Sequence, residues 1–390
     1  MPSASDRTGS PASGPVDRAL VRALRWAGDS CRAIVLSGSH ATGEAVWAVI
    51  GGARVSLSDV DFYACLPDAA ACRRAESRAL EERSGRAPAS EPGLAGPLEV
   101  AFLTEHDLRR LPARPGTLEF QRHARVMWGD PAVIATVPRH RPADVPPEEV
   151  LLLLENRAFE LLAAHARLER ATLEGWRARH EVLKCALDLA TVLTLEAGEY
   201  PDGAAARVAL ARSRTPVPDA GLPALWDFAL AWRQAPAPWD SEAAARDEWR
   251  RMVHAWCAVW NRVSAGRIPG EPDPVRRALR LAARAHPRRR LRQALSFRPR
   301  TGRGPGAWSR WRFASRGTPQ HRLNASATLL LLAANAQPSE AALPAAHRAA
   351  LRRLGALPEP SLMRFSAAAP AAVERWDRWI LDGQRTLGPA

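Results

Sequence analysis

The amino-acid sequence predicts an α+β fold, in which a mixed-sheet domain is followed by an all-α helical domain and a basic, mostly helical C-terminal region. Short β-branched runs alternate with helical patterns up to residue 145, the order that places helices on the faces of a sheet. From Pro146 onward, helical patterns follow one another with little strand signal. Between Asp273 and Glu340 the chain has fifteen arginines and no acidic residue. These three observations define the expected architecture.

We expect four parts along the 390 residues. Residues 1–16 are rich in serine, proline and glycine and are expected to be disordered. Residues 17–145 would form the sheet domain, residues 146–265 the helical domain, and residues 266–390 the basic region. A chain of this length can bury the cores of two or three domains.

The first domain is expected to alternate helices with strands. Its helical patterns cover residues 17–28, 40–50 and 69–84, and its strand patterns cover residues 33–36, 55–66 and 98–103. The later helical patterns cover residues 150–170, 176–197, 204–212, 222–234, 241–264, 341–354 and 371–381. Trp249, Trp256 and Trp260 recur on one face of a helix, and we interpret this stripe as core rather than as a platform for stacked bases.

The formal net charge of +14 is concentrated in the acid-free segment, so the rest of the chain is close to neutral. Basic residues with interleaved tryptophans in residues 275–322 suit RNA, single strands or an anionic membrane surface. The alternative is an arginine-rich face balanced by acids elsewhere in the fold. Five cysteines without a CxxC pair, no apolar signal sequence and no membrane-length apolar run predict a cytoplasmic protein.

Three acidic residues stand in apolar strand patterns of the first domain. Asp59 and Asp61 alternate with core positions, so their side chains would project from one face about 6–7 Å apart. Glu99 lies within the next apolar strand pattern. Carboxylates gathered on one face repel one another unless a cation lies between them, and oxygen ligands suit Mg²⁺. The pattern predicts Asp59, Asp61 and Glu99 as a metal site, with a partner arginine as the alternative for a carboxylate buried in an apolar strand.

Gly38 and Ser39 lie where the first strand ends and a helix is expected to begin. A glycine lets a phosphate approach the backbone closely, and a helix N-terminus with a serine hydroxyl favours an anion. The pair is therefore a candidate phosphate-binding turn.

Together these motifs resemble those of the DNA polymerase beta-like nucleotidyltransferase superfamily. Residues 35–44 resemble its phosphate-binding motif, and residues 58–62 resemble its Ser-Asp-x-Asp-apolar motif. Residues 125–130 are similar to a short run that often follows the catalytic core. The resemblance covers residues 33–130 and extends weakly to Arg207, and it identifies residues 17–145 as a nucleotidyltransferase domain.

The resemblance implies chemistry with two Mg²⁺ ions and a nucleoside triphosphate, of which ATP is favoured. Asp59 and Asp61 would hold both ions, and Glu99 would ligate one ion or take the proton from the attacking hydroxyl. Gly38 and Ser39 would cradle the outer phosphates. Transfer of a nucleoside monophosphate would release pyrophosphate.

Two departures from the family pattern stand near the phosphate-binding turn. Residues 46–56 lengthen the spacing between Gly-Ser and Asp-x-Asp, which suggests a longer helix or loop near the triphosphate. Thr42 stands where many small family members have arginine, so one positive charge is missing.

Lys184 is the only lysine among 55 basic residues. In related enzymes, a lysine or arginine of the helical domain commonly contacts the triphosphate, so the resemblance makes Lys184 a candidate nucleotide ligand. The alternative is a surface lysine paired with Glu181 or Asp188 on the same helix.

Three functions follow from these features. The leading one is nucleotidyl transfer to a hydroxyl of an unknown small molecule or protein. The second is an RNA-directed nucleotidyltransferase that uses the basic segment, and the third is a non-catalytic module of the same fold that binds nucleic acid or a membrane surface. The near-neutral catalytic region favours the first, because a template groove would be basic.

Overall fold

The computed structural model describes residues 14–85, 92–168, 172–214, 216–283, 319–337, 341–355, 357 and 359–384. Within these residues, a small mixed sheet flanked by helices is followed by a larger all-helical part, which confirms the predicted α+β class. Residues 1–13 of the predicted N-terminal tail lie outside the described residues, as do residues 284–318 of the arginine-rich segment.

The chain divides into two compact units. The N-terminal unit runs to Pro146 and includes Trp232–Ala237. The helical unit comprises Pro147–Ala231 and the described residues from Pro238 onward.

The N-terminal unit contains the sheet and its covering helices. In chain order its elements are α1 (Pro15–Ala27), β1 (Ala33–Ser37), α2 (Gly38–Thr42), β2 (Trp47–Ile50), β3 (Ala53–Ser56), β4 (Val60–Leu66), α3 (Ala69–Gly85), β5 (Leu98–Thr104), α4 (Glu105–Leu108), α5 (Pro115–His123) and β6 (Arg125–Gly129). Two short 3₁₀ turns, Pro131–Thr136 and Pro142–Asp144, close the unit.

The four-stranded sheet has the order β5-β4-β1-β6, with β5 parallel to β4 and β1 antiparallel to both of its neighbours. Alternate side chains of β4 point to opposite faces. Phe62 lies in the core that α1 and α3 cover, which includes Trp26. Cys65 lies in a second core on the other face, packed with Phe120 of α5. Both faces are therefore buried over most of their length.

The predicted helix over residues 40–50 is wrong. Helix α2 ends at Thr42, because Gly43 takes a left-handed conformation with φ of +77°. The β-branched residues after it form the hairpin β2–β3 instead, turned by Gly51 and Gly52 with φ of +58° and +80°. A two-residue turn with two positive φ values is the geometry that hairpins favour, and glycine adopts it without strain.

The predicted strand over residues 55–66 is two strands. Residues 57–59 separate β3 from β4 and belong to neither strand, and the Leu57 amide donates to the Val46 carbonyl at 2.9 Å. The chain therefore bends directly before β4, and Asp59 lies in the bend rather than in the strand.

The helical unit contains the remaining helices of the described chain, apart from residues 232–234 at the end of one of them. They are α6 (Pro147–His165), α7 (Leu173–Glu196), α8 (Ala204–Arg214), α9 (Leu222–Gln234), α10 (Glu242–Arg267), α11 (Pro274–Ala283), α12 (Pro319–Ala336), α13 (Ala345–Leu354) and α14 (Phe365–Gln384). Most boundaries differ from the predicted ones by a few residues, and α14 begins six residues earlier than predicted. In the described part of the chain, no helix has the length and apolarity that crossing a membrane requires.

The tryptophan stripe of α10 is core, as predicted. Trp249, Trp256 and Trp260 are each at most 1% exposed. The Trp249 indole donates to the Leu161 carbonyl at 2.7 Å, and the Trp256 indole donates to the Leu154 carbonyl at 3.0 Å. These bonds satisfy the two indole N–H groups inside an apolar core.

One carboxylic acid lies deep in the helical unit. Glu155 of α6 is 8% exposed and accepts a hydrogen bond from the Asn324 amide of α12 at 2.8 Å. Burial raises the pKa of Glu155 to about 7, although the bond from Asn324 acts in the opposite direction. The raised pKa means that ionising Glu155 destabilises the folded chain.

This burial predicts a pH-dependent stability. Stabilisation by Glu155 is fully present below its unfolded-state pKa near 4.5 and is lost as the pH rises through about 7. We expect Glu155→Gln to gain about 2–3 kcal/mol in unfolding free energy relative to wild type between pH 5 and pH 8. Urea unfolding at several pH values measures this, with exposed Glu148→Gln as the control. Parallel pH profiles for wild type and Glu155→Gln would contradict it.

Candidate active site

The sheet register brings the phosphate-turn candidate and two of the predicted carboxylates to one edge. Ser37, the last residue of β1, pairs with Asp61 of β4, and Asp61 pairs in turn with Glu99 of β5. Paired residues on neighbouring strands point to the same face of a sheet. Asp61 is half-buried and Glu99 is exposed, so this edge is open to solvent. Asp61 and Glu99 are therefore direct neighbours beside the end of β1.

Asp59 is held next to this pair by close backbone packing. The Val60 amide donates to the Pro97 carbonyl at 3.0 Å, which fastens the start of β4 to the approach of β5. A Cβ atom on Gly96 would lie 2.6 Å from the Ser58 carbonyl oxygen and 2.8 Å from the Asp59 amide nitrogen. Only glycine fits there. Gly96 was missed in the sequence, although a glycine shortly before an apolar strand can signal close backbone approach.

Gly38 makes room for the Asp61 carboxylate. Its φ is +65°, and a Cβ atom on it would lie 2.3 Å from Oδ2 of Asp61. Gly38 and Ser39 are both half-buried. Helix α2, which follows Ser37, has only five residues, so its dipole is small and anion binding there would depend on the backbone amides and the Ser39 hydroxyl.

A buried polar network links this turn to the hairpin. The Ser56 hydroxyl donates to the Ser58 carbonyl at 3.2 Å, and Nε2 of His40 lies 3.1 Å from the same hydroxyl. The Ser58 hydroxyl accepts from the Val46 amide at 3.0 Å. His40, Ser56 and Ser58 are buried, so these bonds form away from water. The network joins α2, the hairpin and the backbone before Asp59.

Burial lowers the pKa of His40, and the neighbouring Arg125 guanidinium lowers it further. The Ser58 carbonyl and Asp59 act in the opposite direction. Nη2 of Arg125 also donates to the His40 carbonyl at 2.8 Å, which fixes α2 against β6. His40 was missed as a site residue, and its position directly after Gly-Ser is the signal that could have indicated it.

Tyr63 lies within electrostatic reach of the carboxylates of Asp61 and Glu99. It lies on the face of β4 that carries Asp61 and packs edge-on against Phe120 with ring centroids 4.9 Å apart. Burial raises the pKa of Tyr63, and Asp61 and Glu99 raise it further, while Arg114 lowers it. The start of α5 therefore brings a positive charge within electrostatic reach of the carboxylate face.

The donor set has the chemistry of a Mg²⁺ site, because Asp61 and Glu99 offer hard oxygen ligands on adjacent strands. As the side chains stand, no group of three or more His, Cys, Asp or Glu residues is gathered around a common metal position within the described residues. Asp59 precedes the strand and would complete the set from the bend. The pair Asp61 and Glu99 is thus the part of the predicted metal site that the register places together.

Lys184 is half-buried on α7, in the helical unit. Burial alone would raise the pKa of Glu160, but Arg157 and Lys184 lower it, and the net shift is downward. The two carboxylates considered as surface partners of Lys184 contact arginines. Glu181 lies 2.5 Å from Nη2 of Arg167, and Asp188 lies 2.6 Å from Nε of Arg157.

At the described beginning of the basic segment, the arginine side chains bind nearby carbonyl, amide and carboxylate oxygens. Arg277 of α11 is buried and donates to the Glu271 carbonyl at 3.0 Å and to the Asn261 side chain at 2.6 Å. Arg280 pairs with the Glu271 carboxylate at 2.9 Å, and Arg276 pairs with Asp273 at 3.4 Å. For these residues the interpretation of a charge-balanced face holds. The tryptophan-containing part of the segment lies outside the described residues.

No family model matches the sequence, and no curated protein matches it either. Among solved structures, spectinomycin adenyltransferase AAD(9) from Enterococcus faecialis, determined with ATP and spectinomycin, is similar at 9% identity with a TM-score of 0.33. The alignment covers 61% of this chain and 98% of that chain. A likeness this distant does not define a family for the chain.

The Gly38 contact predicts a steric effect that a matched variant can isolate. Gly38→Ala combines a left-handed backbone penalty of about 1–2 kcal/mol with a clash against the Asp61 carboxylate. Gly43→Ala has the backbone penalty alone, because nothing lies within 4 Å of its Cβ position. We expect Gly38→Ala to lower the unfolding free energy more than Gly43→Ala does, as measured by urea unfolding. Equal losses would show that Asp61 does not pack against the turn.

Proposed function

We propose that this chain is a Mg²⁺-dependent nucleotidyltransferase that moves a nucleoside monophosphate from a nucleoside triphosphate to a hydroxyl of a small molecule or protein. The supporting observation is the register that sets Asp61 between the end of β1 and Glu99. A glycine turn at Gly38, a serine hydroxyl and two adjacent carboxylates are the groups that such a transfer needs.

In this proposal Asp59, Asp61 and Glu99 hold the metal. Bound Mg²⁺ would neutralise charge on the triphosphate and on the departing pyrophosphate. The fit rests on the oxygen donors of Asp61 and Glu99, which share one face of the sheet. Asp59 lies within electrostatic reach of His40, which directly follows the Gly38-Ser39 turn.

The other groups bind and orient the nucleotide. Gly38 lets the outer phosphates approach the backbone, and Ser39 donates its hydroxyl and amide to them. The acceptor hydroxyl oxygen forms a bond to the α-phosphorus, and the bond from that phosphorus to the bridging oxygen of pyrophosphate breaks. In its alternative role, as general base rather than metal ligand, Glu99 receives the hydroxyl proton, which its exposed position allows.

The acceptor class follows from charge. A template-directed enzyme needs a basic groove, whereas the basic character of this chain is concentrated after Asp273. The described arginines at the start of that segment are paired with acids and carbonyls. A small-molecule or protein hydroxyl therefore suits the site better than RNA, and ATP is the first nucleotide to test.

The direct test uses the four labelled nucleoside triphosphates with Mg²⁺ and a search for labelled protein, RNA and small molecules. We expect Asp61→Asn to abolish transfer while the unfolding transition is retained, because loss of one ligand charge raises the barrier by several kcal/mol. Asp29→Asn, an exposed site on the same unit, removes an equal charge and should leave transfer unchanged. Full transfer by Asp61→Asn would refute the proposal.

We also propose that Lys184 contributes to nucleotide binding. Lys184→Ala should raise the dissociation constant for the triphosphate, and Lys184→Arg should restore only part of the loss, because a planar guanidinium does not replace a compact ammonium. Calorimetric titration measures both, and thermal unfolding of each variant separates binding from stability. Wild-type affinity in Lys184→Ala would contradict a binding role for Lys184. Its electrostatic effect on Glu160 would remain.

A further inference from the structure

We propose that the helical unit carries a second ligand site, in a cavity between α9 and α10, for a small organic anion with an aromatic ring. The cavity has a volume of about 790 Å³. Pockets for small molecules in proteins commonly span about 300–1,000 Å³. None of its lining residues belongs to the phosphate turn or to the carboxylate set, so this proposal is independent of the proposed transfer reaction.

One wall of the cavity is apolar and comes from α9. Ala224, Leu225 and Phe228 lie there at helical spacing, on one face. Phe228 remains 41% exposed, which is unusual for a large apolar side chain in this unit. The Phe228 ring is a ready surface for an aromatic ligand, because ring pairs add to the energy of apolar burial.

Phe228 is supported by Arg179, whose guanidinium carbon lies 5.3 Å from the ring centroid. Arg179 is itself fixed by Glu248 at 2.9 Å and by the Pro238 carbonyl at 2.7 Å. An aromatic ring held from one side loses little freedom when a ligand binds, which favours affinity.

The opposite wall is cationic and comes from α10. Arg250, Arg251 and His254 lie within one helical turn and line the cavity. Arg251 pairs with Asp247 at 3.2 Å, but both side chains are more than 60% exposed, so this ion pair is weak. An arginine can exchange such a partner for a carboxylate or phosphate of a ligand.

The one acidic residue in the lining already has partners. Oδ1 of Asp219 accepts from the Gly221 and Leu222 amides at 2.6 and 3.0 Å, at the start of α9. Its Oδ2 lies 3.2 Å from Nε2 of His254. Nδ1 of His254 lies 3.0 Å from the Asn335 side chain, so the imidazole is held at both nitrogens. The imidazole of this wall is thus held in place, and the two lining arginines outnumber the one lining acid.

The apolar wall and the arginine wall together favour a ligand that has both an aromatic ring and a negative charge. A neutral aromatic molecule would gain only the apolar contact, and a simple inorganic anion would gain only the arginines. An aromatic carboxylate or phosphate would satisfy both walls at once. The cavity therefore fits an aromatic organic anion better than either simpler class.

Calorimetric titration of 2-naphthoate into the 390-residue chain tests the proposal. We expect saturable binding at one site, with weaker binding of uncharged 2-naphthylmethanol and of acetate. Arg250→Ala with Arg251→Ala should weaken naphthoate binding by about tenfold or more, and Phe228→Ala should do the same. Phe228→Tyr keeps the ring and should preserve binding.

The matched control is Arg246→Ala, which removes an exposed arginine of α10 outside the cavity. Thermal unfolding of each variant shows that the helical unit is intact. No naphthoate binding at millimolar concentration would overturn the proposal. So would binding that the Phe228 and arginine variants leave unchanged, or equal affinity for 2-naphthylmethanol.

Discussion

The parallel register of β4 and β5 is the constraint on which the candidate active site depends. It places Asp61 beside Glu99 on one face, while Phe62 and Phe102 fill the core on the other. A slip of one residue would turn each strand over and exchange carboxylates for core residues. The burial of that core therefore fixes which side the carboxylates occupy, and apolar packing determines the position of the polar chemistry.

Other groups of the N-terminal unit hold the backbone around Asp61 and Glu99 in position. Gly38 and Gly96 let neighbouring backbone and side chains approach more closely than any other residue would allow. The hairpin contributes through Ser56, whose hydroxyl lies between His40 and the Ser58 carbonyl. Because these groups are buried, losing one bond would leave an unsatisfied polar atom, at a cost of about 1–3 kcal/mol. The hairpin thus stabilises the Gly38-Ser39 turn. It also lengthens the chain between this turn and the Asp59 and Asp61 motif.

Local patterns in the sequence predicted β1, β4, β5 and the face of Asp61, because a period of two in hydrophobicity specifies a face directly. They did not predict the hairpin, since a run such as residues 46–50 suits a helix or a strand and only the Gly51-Gly52 turn decides between them. Interactions between residues distant in sequence were not predicted either: Asp188 lies 2.6 Å from Nε of Arg157, on another helix. Long-range pairing depends on tertiary packing, which no short window contains.

We propose that Asp61 and Glu99 form the core of a metal site beside a phosphate-binding turn. Crystals grown with Mn²⁺ and a non-hydrolysable nucleoside triphosphate analogue test it through anomalous diffraction. We expect a manganese peak in contact with the carboxylates of Asp61 and Glu99, with the outer phosphates at Gly38 and Ser39. A nucleotide bound elsewhere, or manganese bound without either carboxylate, would contradict it.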